Sequence, residues 1–172
     1  MKYALMVRND DLSKKTALKI KEGLQNFFIY DEKNPDLVIS IGGDGTIFRS
    51  CTSINLNVDC CFVGIHTGTL GFYTDYQVDE VDQFIKDVTS RQFKTMKRYM
   101  LEIKINKKDS FQTYYALNEL RLDQGLQAQV IHVYIGNVLL EVFRGNGLCV
   151  STPSGSTAYN KSLGGFVSIY SR

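Results

Sequence analysis

A chain of 172 residues can bury a substantial core, and its length allows one domain or two small ones. Hydrophobic residues make up 44% and charged residues 22%, with only 2 prolines, which excludes a long disordered or proline-rich segment. A net charge of +2 without any basic run excludes a nucleic-acid-binding stripe; Lys104, Lys107 and Lys108 fall near a predicted turn and read as a solvated tip.

Tyr3–Val7 reads as a first strand, and Leu12–Phe28 as a helix whose Ala17, Ile20, Leu24, Phe27 and Phe28 share one face. Asn34-Pro35-Asp36 breaks the pattern before an apolar run, Leu37–Ile41, that predicts a buried strand. Gly42–Gly45 then connects to a helix over Thr46–Ile54, with Ile47, Phe48, Cys51 and Ile54 inward. Glycines let backbone amides approach an anion closely, and a helix start adds unpaired N–H groups, so this turn suits phosphate. Asp44 repels phosphate unless a metal ion intervenes or the carboxylate handles a proton; the alternative is a tight turn whose Asp caps the helix. Arg49, about one turn into the helix, either reaches phosphate or faces solvent.

Cys60–Ile65 predicts the next buried strand, again ending in a glycine-rich connection, His66 to Phe72. In a parallel sheet the two glycine loops lie on the same edge, where ligands of open α/β sheets bind. His66 has no partner at metal-ligand spacing and reads as a loop or structural residue. Val78–Ser90 predicts a helix with Val81, Phe84, Ile85 and Val88 inward and acidic residues at its start.

After Arg91 the period becomes alternating, with Leu101, Ile103 and Ile105 on one face, a turn at Lys107–Asp109 and a return over Thr113–Leu117. Ala128–Ile135 and Val138–Phe143 flank Gly136-Asn137, a two-residue hairpin signal. An α/β part therefore gives way to an antiparallel part near 91–99. Asn118-Glu119 is either a polar pair at a strand end or an amide and carboxylate able to hold a vicinal diol. Leu148–Thr157 runs from a short apolar strand into Ser-Thr-Pro-Ser-Gly-Ser-Thr, either an ordinary Ser/Thr helix cap or a row of donors to a polar ligand. The four cysteines, Cys51, Cys60, Cys61 and Cys149, form no C-x-x-C pair, which argues against structural zinc and for small hydrophobes in a reducing compartment. Met1–Val7 is too soon polar for a signal peptide and no apolar run of membrane length follows, so the expected location is the cytoplasm, with no membrane partner.

Gly42-Gly43-Asp44-Gly45-Thr46, Gly68-Thr69-Leu70-Gly71-Phe72, Asn118-Glu119 and Ser151 to Ser162 together resemble the NAD kinase family, in its order and with the spacing of its short bacterial members. The Thr-Pro-Ser-Gly-Ser-Thr-Ala-Tyr stretch carries the distinction, because lipid kinases share the glycine turn. The resemblance implies a Rossmann-like parallel α/β domain over 1–95 and an antiparallel β-rich nucleotide-binding domain over 96–172. It implies transfer of the ATP γ-phosphoryl group to the 2′-hydroxyl of the adenosine ribose of NAD, with a divalent metal, expected to be Mg, on the phosphates near Asp44.

The resemblance makes Asp44 the catalytic base and gives phosphate contacts to Gly43, Gly45, Thr46 and Arg49. It places Phe72, Asn118, Ser154, Thr157 and Ala158 against adenosine and Glu119 on a ribose hydroxyl. Tyr159, Asn160, Lys161 and Ser162 extend that wall. Arg144-Gly145-Asn146-Gly147 resembles a family turn that commonly reads Gly-Asp-Gly, so Asn146 stands where a carboxylate is usual and Arg144 flanks it. Phe166–Arg172 departs from the family's continuation, so the second domain is expected to be incomplete. Homo-oligomers are expected of the full-length family, and nucleic-acid partners are not. The alternatives are a non-catalytic NAD-binding fragment, or a lipid or sugar kinase sharing the glycine turn.

Overall fold

The computed structural model describes residues 1–53, 60–68, 71–108, 110–125 and 127–168, with only the backbone of Ser53 described. It divides into two compact units, Met1–Lys97 and Arg98–Arg172.

The first unit opens with β1 (Lys2–Val7) and α1 (Asp11–Leu24). Asp10 caps α1, its carboxylate accepting from the Ser13 amide at 3.0 Å and from the Ser13 hydroxyl at 2.8 Å. Ala17, Ile20 and Leu24 are buried as the three- and four-residue spacing requires, and full burial of Ile20 and Leu24 contributes about 2 kcal/mol each. The helix stops at Leu24 rather than Phe28, and Phe27, expected inward, is 62% exposed. The chain must turn here because Ile29–Tyr30 forms β2 alongside β1, a two-residue strand too short for periodicity to reveal.

β3 (Leu37–Gly42), α2 (Asp44–Ser53), β4 (Cys61–His66), β5 (Tyr76–Gln77) and α3 (Val81–Thr89) complete this unit. The sheet is parallel throughout, in the order β2-β1-β3-β4-β5. Every residue of β3 is buried, as a central strand covered on both faces demands. Its Ser40 hydroxyl pairs with that of Ser50, which also donates to the Thr46 carbonyl at 2.9 Å. α2 begins at Asp44, two residues before the expected start, so Asp44 and Gly45 belong to its first turn. Ile47 and Cys51 are buried, Phe48 is half-buried, and Ile54 lies outside the described residues. A 3-10 turn over Val78–Glu80 precedes α3; the Glu80 carboxylate accepts from the Gln77 amide at 2.8 Å, and Val81, Phe84 and Val88 are buried.

The second unit contains β6 (Leu101–Lys107), β7 (Ser110–Ala116), β8 (Glu119–Asp123), β9 (Gln129–Ile135), β10 (Val138–Gly145) and β11 (Gly147–Ser151). These pair as three antiparallel ladders, β6–β7, β8–β11 and β9–β10. Gly136, at φ 58°, supplies the left-handed residue that a two-residue hairpin between Ile135 and Val138 needs. Beyond β11 a 3-10 turn, Ser154–Thr157, leads into α4 (Tyr159–Ser162).

Candidate functional site

In the first unit Gly42 pairs with His66, so the loops after β3 and β4 start side by side at the C-terminal edge of the sheet. The Thr67 amide donates to the Gly42 carbonyl at 2.9 Å, tying the two loops together. A side chain on Gly42 would collide with Thr46 Oγ1, which explains the glycine at that corner. At Gly43 and Gly45 an added Cβ would meet nothing within 4 Å, so the turn presents open space beside its backbone. Asp44 and Gly45, in the first turn of α2, have amides without an intrahelical acceptor, the arrangement that receives anions.

The Asp44 carboxylate points across to the second glycine loop. It accepts from the Phe72 amide at 2.8 Å and from the Tyr73 amide at 2.9 Å, one oxygen to each. A side chain on Gly71 would strike the same carboxylate, so close approach requires glycine there. Phe72 is 46% exposed, its ring edge-on to Tyr73 at 5.1 Å, and Tyr73 in turn meets Phe48 at 5.5 Å. Thr46 is buried and Arg49 is exposed on α2. Thr69 and Leu70 lie outside the described residues. His66 is buried, and its Nδ1 has no hydrogen-bond partner among the described residues.

In the second unit the β8–β11 ladder pairs Ser151 with Glu119, which brings Asn118-Glu119 to the serine-rich segment. Thr152 fastens the junction: its amide donates to the Asn118 carbonyl at 2.8 Å and its hydroxyl to the Leu117 carbonyl at 2.6 Å. The Gly155 amide donates to Thr152 Oγ1 at 2.9 Å, and a Cβ on Gly155 would collide with the Asn118 backbone. Ser154 is buried beside Arg98, whose Nη1 donates to its Oγ at 3.4 Å, while Thr157 is exposed. Glu119 Oε2 is buried with no partner among the described residues. The Tyr159 ring lies under the Arg121 guanidinium, 4.1 Å from its centroid, and Arg121 donates to Asp123 at 2.8 Å.

Asn160 is engaged within the fold, its amide donating to the carbonyls of Ser156 at 3.1 Å and Phe166 at 2.9 Å. Ala158 is half-buried, and Lys161 and Ser162 are exposed on α4. Arg144 and Asn146 are not gathered with this group. The β10–β11 turn adjoins Gly147, which pairs with Asp123 at the far end of β11, about 13 Å of extended strand from Ser151.

Two features had no sequence signal on their own. Thr152 became the clasp of the second unit only through contacts 35 residues away in the chain. Arg8 is the other, linked to Thr67 across 59 residues; its place directly after β1, on the edge shared by both glycine loops, was the clue available.

Among the described residues no three His, Cys, Asp or Glu side chains gather as a metal site. Mg is held characteristically by one or two carboxylates together with water and substrate phosphate oxygens. Asp44 beside an open phosphate turn fits an ion that arrives with phosphates, and does not fit one caged by protein alone. Burial pushes the Cys51 and Cys60 thiols up to about 11, in keeping with inert packing residues.

Residues 7–93 match the model of the ATP-NAD kinase N-terminal domain, and residues 117–168 that of the ATP-NAD kinase C-terminal domain. The chain belongs to the ATP-NAD kinase family. NAD kinase 1 of Halalkalibacterium halodurans is 40% identical over 171 residues, covering 97% of this chain and 64% of the relative. NAD kinase of Geobacillus stearothermophilus is 41% identical over 172 residues, covering 96% and 62%. This chain thus spans somewhat less than two thirds of the length of these kinases. The crystal structure of yeast NADH kinase complexed with NADH shares its fold, with a TM-score of 0.83 at 21% identity, over 98% of this chain and 62% of that one. The family match does not favour a lipid or sugar kinase that merely shares the glycine turn.

Proposed function

We propose that the chain carries NAD kinase chemistry: transfer of the ATP γ-phosphoryl group to the 2′-hydroxyl of the adenosine ribose of NAD, giving NADP and ADP. The new bond joins the ribose 2′-oxygen to phosphorus, the β–γ bridging bond breaks, and the hydroxyl proton passes to Asp44. The observation that supports this most directly is the Asp44 carboxylate, oriented by two backbone amides at an open glycine turn on the ligand edge of a parallel sheet.

Amides at Gly43 and Gly45, with Thr46 in the same turn and Arg49 along α2, serve to receive phosphates and to offset their charge, the Thr46 amide itself donating to the Gly43 carbonyl at 2.8 Å. Asp44 would also hold a divalent ion, proposed to be Mg, which when bound neutralises phosphate charge and orients the transferring group. In the second unit Asn118, Ser154, Thr157 and Ala158 form the adenosine wall; in the first, exposed Phe72 is the proposed aromatic contact for adenosine. Glu119 accepts from a ribose hydroxyl, and its buried Oε2, without a partner among the described residues, supports that role. Tyr159, Asn160, Lys161 and Ser162 extend the wall, and Arg144 and Asn146 form a more distant contact. Phosphoryl transfer relies on positioning and charge stabilisation more than on covalent help, which suits a single carboxylate among backbone donors.

The domains proposed for these roles are 1–95, with the phosphate turn, and 96–172, a nucleotide-binding part. Among the described residues no helix is long and apolar enough to cross a membrane. A cytoplasmic location, NAD and ATP as partners without nucleic acid or membrane, and homo-oligomers of the full-length family complete the proposal.

The test incubates the purified chain with NAD, ATP and magnesium and reads NADP through an NADP-dependent dehydrogenase. NADP should form, and Asp44→Asn should lower the rate by at least about 100-fold. The other outcome is a nucleotide-binding fragment without turnover, the alternative that the family match does not favour. NAD-dependent thermal stabilisation without any NADP would establish that reading and sink catalysis by this chain.

A further inference from the structure

Arg8 follows β1 directly, and its amide extends the ladder by donating to the Ile41 carbonyl at 2.9 Å. It therefore sits at the edge where Gly42 and His66 end their strands. A Cβ on Gly42 would lie 3.1 Å from Arg8 Cβ, and one on Gly68 would lie 3.4 Å from Arg8 Nη1. The side chain thus runs from the root of the first glycine loop to the second.

Its guanidinium is fixed from two sides. Nε donates to Asp10 Oδ2 at 2.6 Å, and Nη2 donates to the Thr67 carbonyl at 3.1 Å. Both acceptors are themselves anchored, Asp10 by capping α1 through Ser13 and Thr67 by a buried 2.6 Å hydrogen bond to the Ser13 hydroxyl. A guanidinium has five N–H groups, and among the described residues the two bonds above use two, so three remain for an outside acceptor. The side chain is 40% exposed, which leaves those donors within reach of solvent.

A simple brace between β1 and the β4 loop would need only the donors already engaged. Asp10 offsets much of the positive charge, so the remaining capacity is geometric: a planar fork held in one orientation, suited to phosphate oxygens. We propose that Arg8 binds the phosphate chain delivered to the Gly43–Thr46 turn, as a fixed guanidinium fork shared by both glycine loops. This rests on the kinase reading above and adds a contact that none of the motif residues supplies.

The test measures binding of magnesium ATP, magnesium tripolyphosphate and NAD by calorimetry to the whole chain, comparing it with Arg8→Gln and Arg8→Lys. Arg8→Gln should weaken ATP and tripolyphosphate alike by about tenfold and leave NAD unchanged, with Arg8→Lys in between because it keeps the charge and loses the fork. Unchanged phosphate affinity in a folded Arg8→Gln overturns the proposal and leaves a brace. Equal losses for all three ligands overturn it as well, since they report a collapsed edge. Weakening of ATP without tripolyphosphate points to a nucleoside contact and also counts against it. Should Arg8→Gln fail to fold, Arg8→Lys decides by the same comparison. If the unmodified chain binds neither ATP nor tripolyphosphate, the kinase reading fails along with Arg8, an outcome distinct from a variant that binds as well as its parent.

Discussion

Glu119 Oε2 is buried without a donor among the described residues, and an unsatisfied buried acceptor costs about 1–3 kcal/mol. Such a residue serves a ligand better than it serves the fold. Glu119→Gln should therefore leave urea stability unchanged or raise it by about 1 kcal/mol, while weakening NAD binding in a titration. A clear fall in stability would show instead that the carboxylate is structural. The thiols lead to a second expectation at this scale. Burial first, then neighbouring charge, raises Cys51 and Cys60 from 9.0 to about 11, so at pH 8 each is a thiolate about 100-fold less often than an ordinary thiol. Disulfide-exchange labelling of the native chain should spare both until denaturant is added. The sign for stability follows: a pKa raised on folding gives a contribution that is whole below about 9 and is lost as pH rises towards about 11. The motif residues were legible because glycine turns and hydroxyl-rich caps are local signals. Arg8 and Thr152 were not, since their partners come from loops distant in the chain.

The elements follow their periodicity except where a neighbour interrupts it. α1 shows this at its end: Leu24 is fully buried, whereas Phe27 is 62% exposed because the chain turns to lay β2 against β1. Leu24→Ala should then cost about 2–5 kcal/mol in chemical denaturation, against at most about 0.5 kcal/mol for Phe27→Ser. Comparable losses would mean that the helix runs on as its sequence pattern suggests. The start of α2 at Asp44 was likewise hidden, since glycines on both sides of the aspartate read as loop. In the structure the helix instead begins within the turn and carries the carboxylate on its first residue. The parallel order of β1, β3 and β4 was accessible from alternating strand and helix signals, while β2 and β5, two residues each, carry too little pattern to be read.

The two units differ in how they are held. Among the described residues the fully buried apolar side chains lie in Met1–Lys97, from Tyr3 through Val88, with Leu117 alone representing Arg98–Arg172. The second unit keeps large apolar residues exposed along β9 and β10, including Ile135 at 67%, Val138 at 71% and Leu140 at 63%. Two-stranded ladders are marginal in water without a packed face, whereas a five-stranded parallel sheet under helices is not. Opening should therefore be graded along the chain. In native-state hydrogen exchange, amides of β3 and β4 should exchange only through global unfolding, while those of β9 and β10 exchange by local opening well below that free energy. Adding NAD should slow exchange around Asn118, Thr152 and Gly155, where one clasp joins three segments, and leave the β9–β10 hairpin fast. Uniform protection of both units would contradict this picture, because among the described residues the buried apolar side chains of Met1–Lys97 have few counterparts in Arg98–Arg172. The residues proposed as the nucleotide wall belong to Arg98–Arg172, so ligand binding should contribute a larger share of that unit's order than packing does.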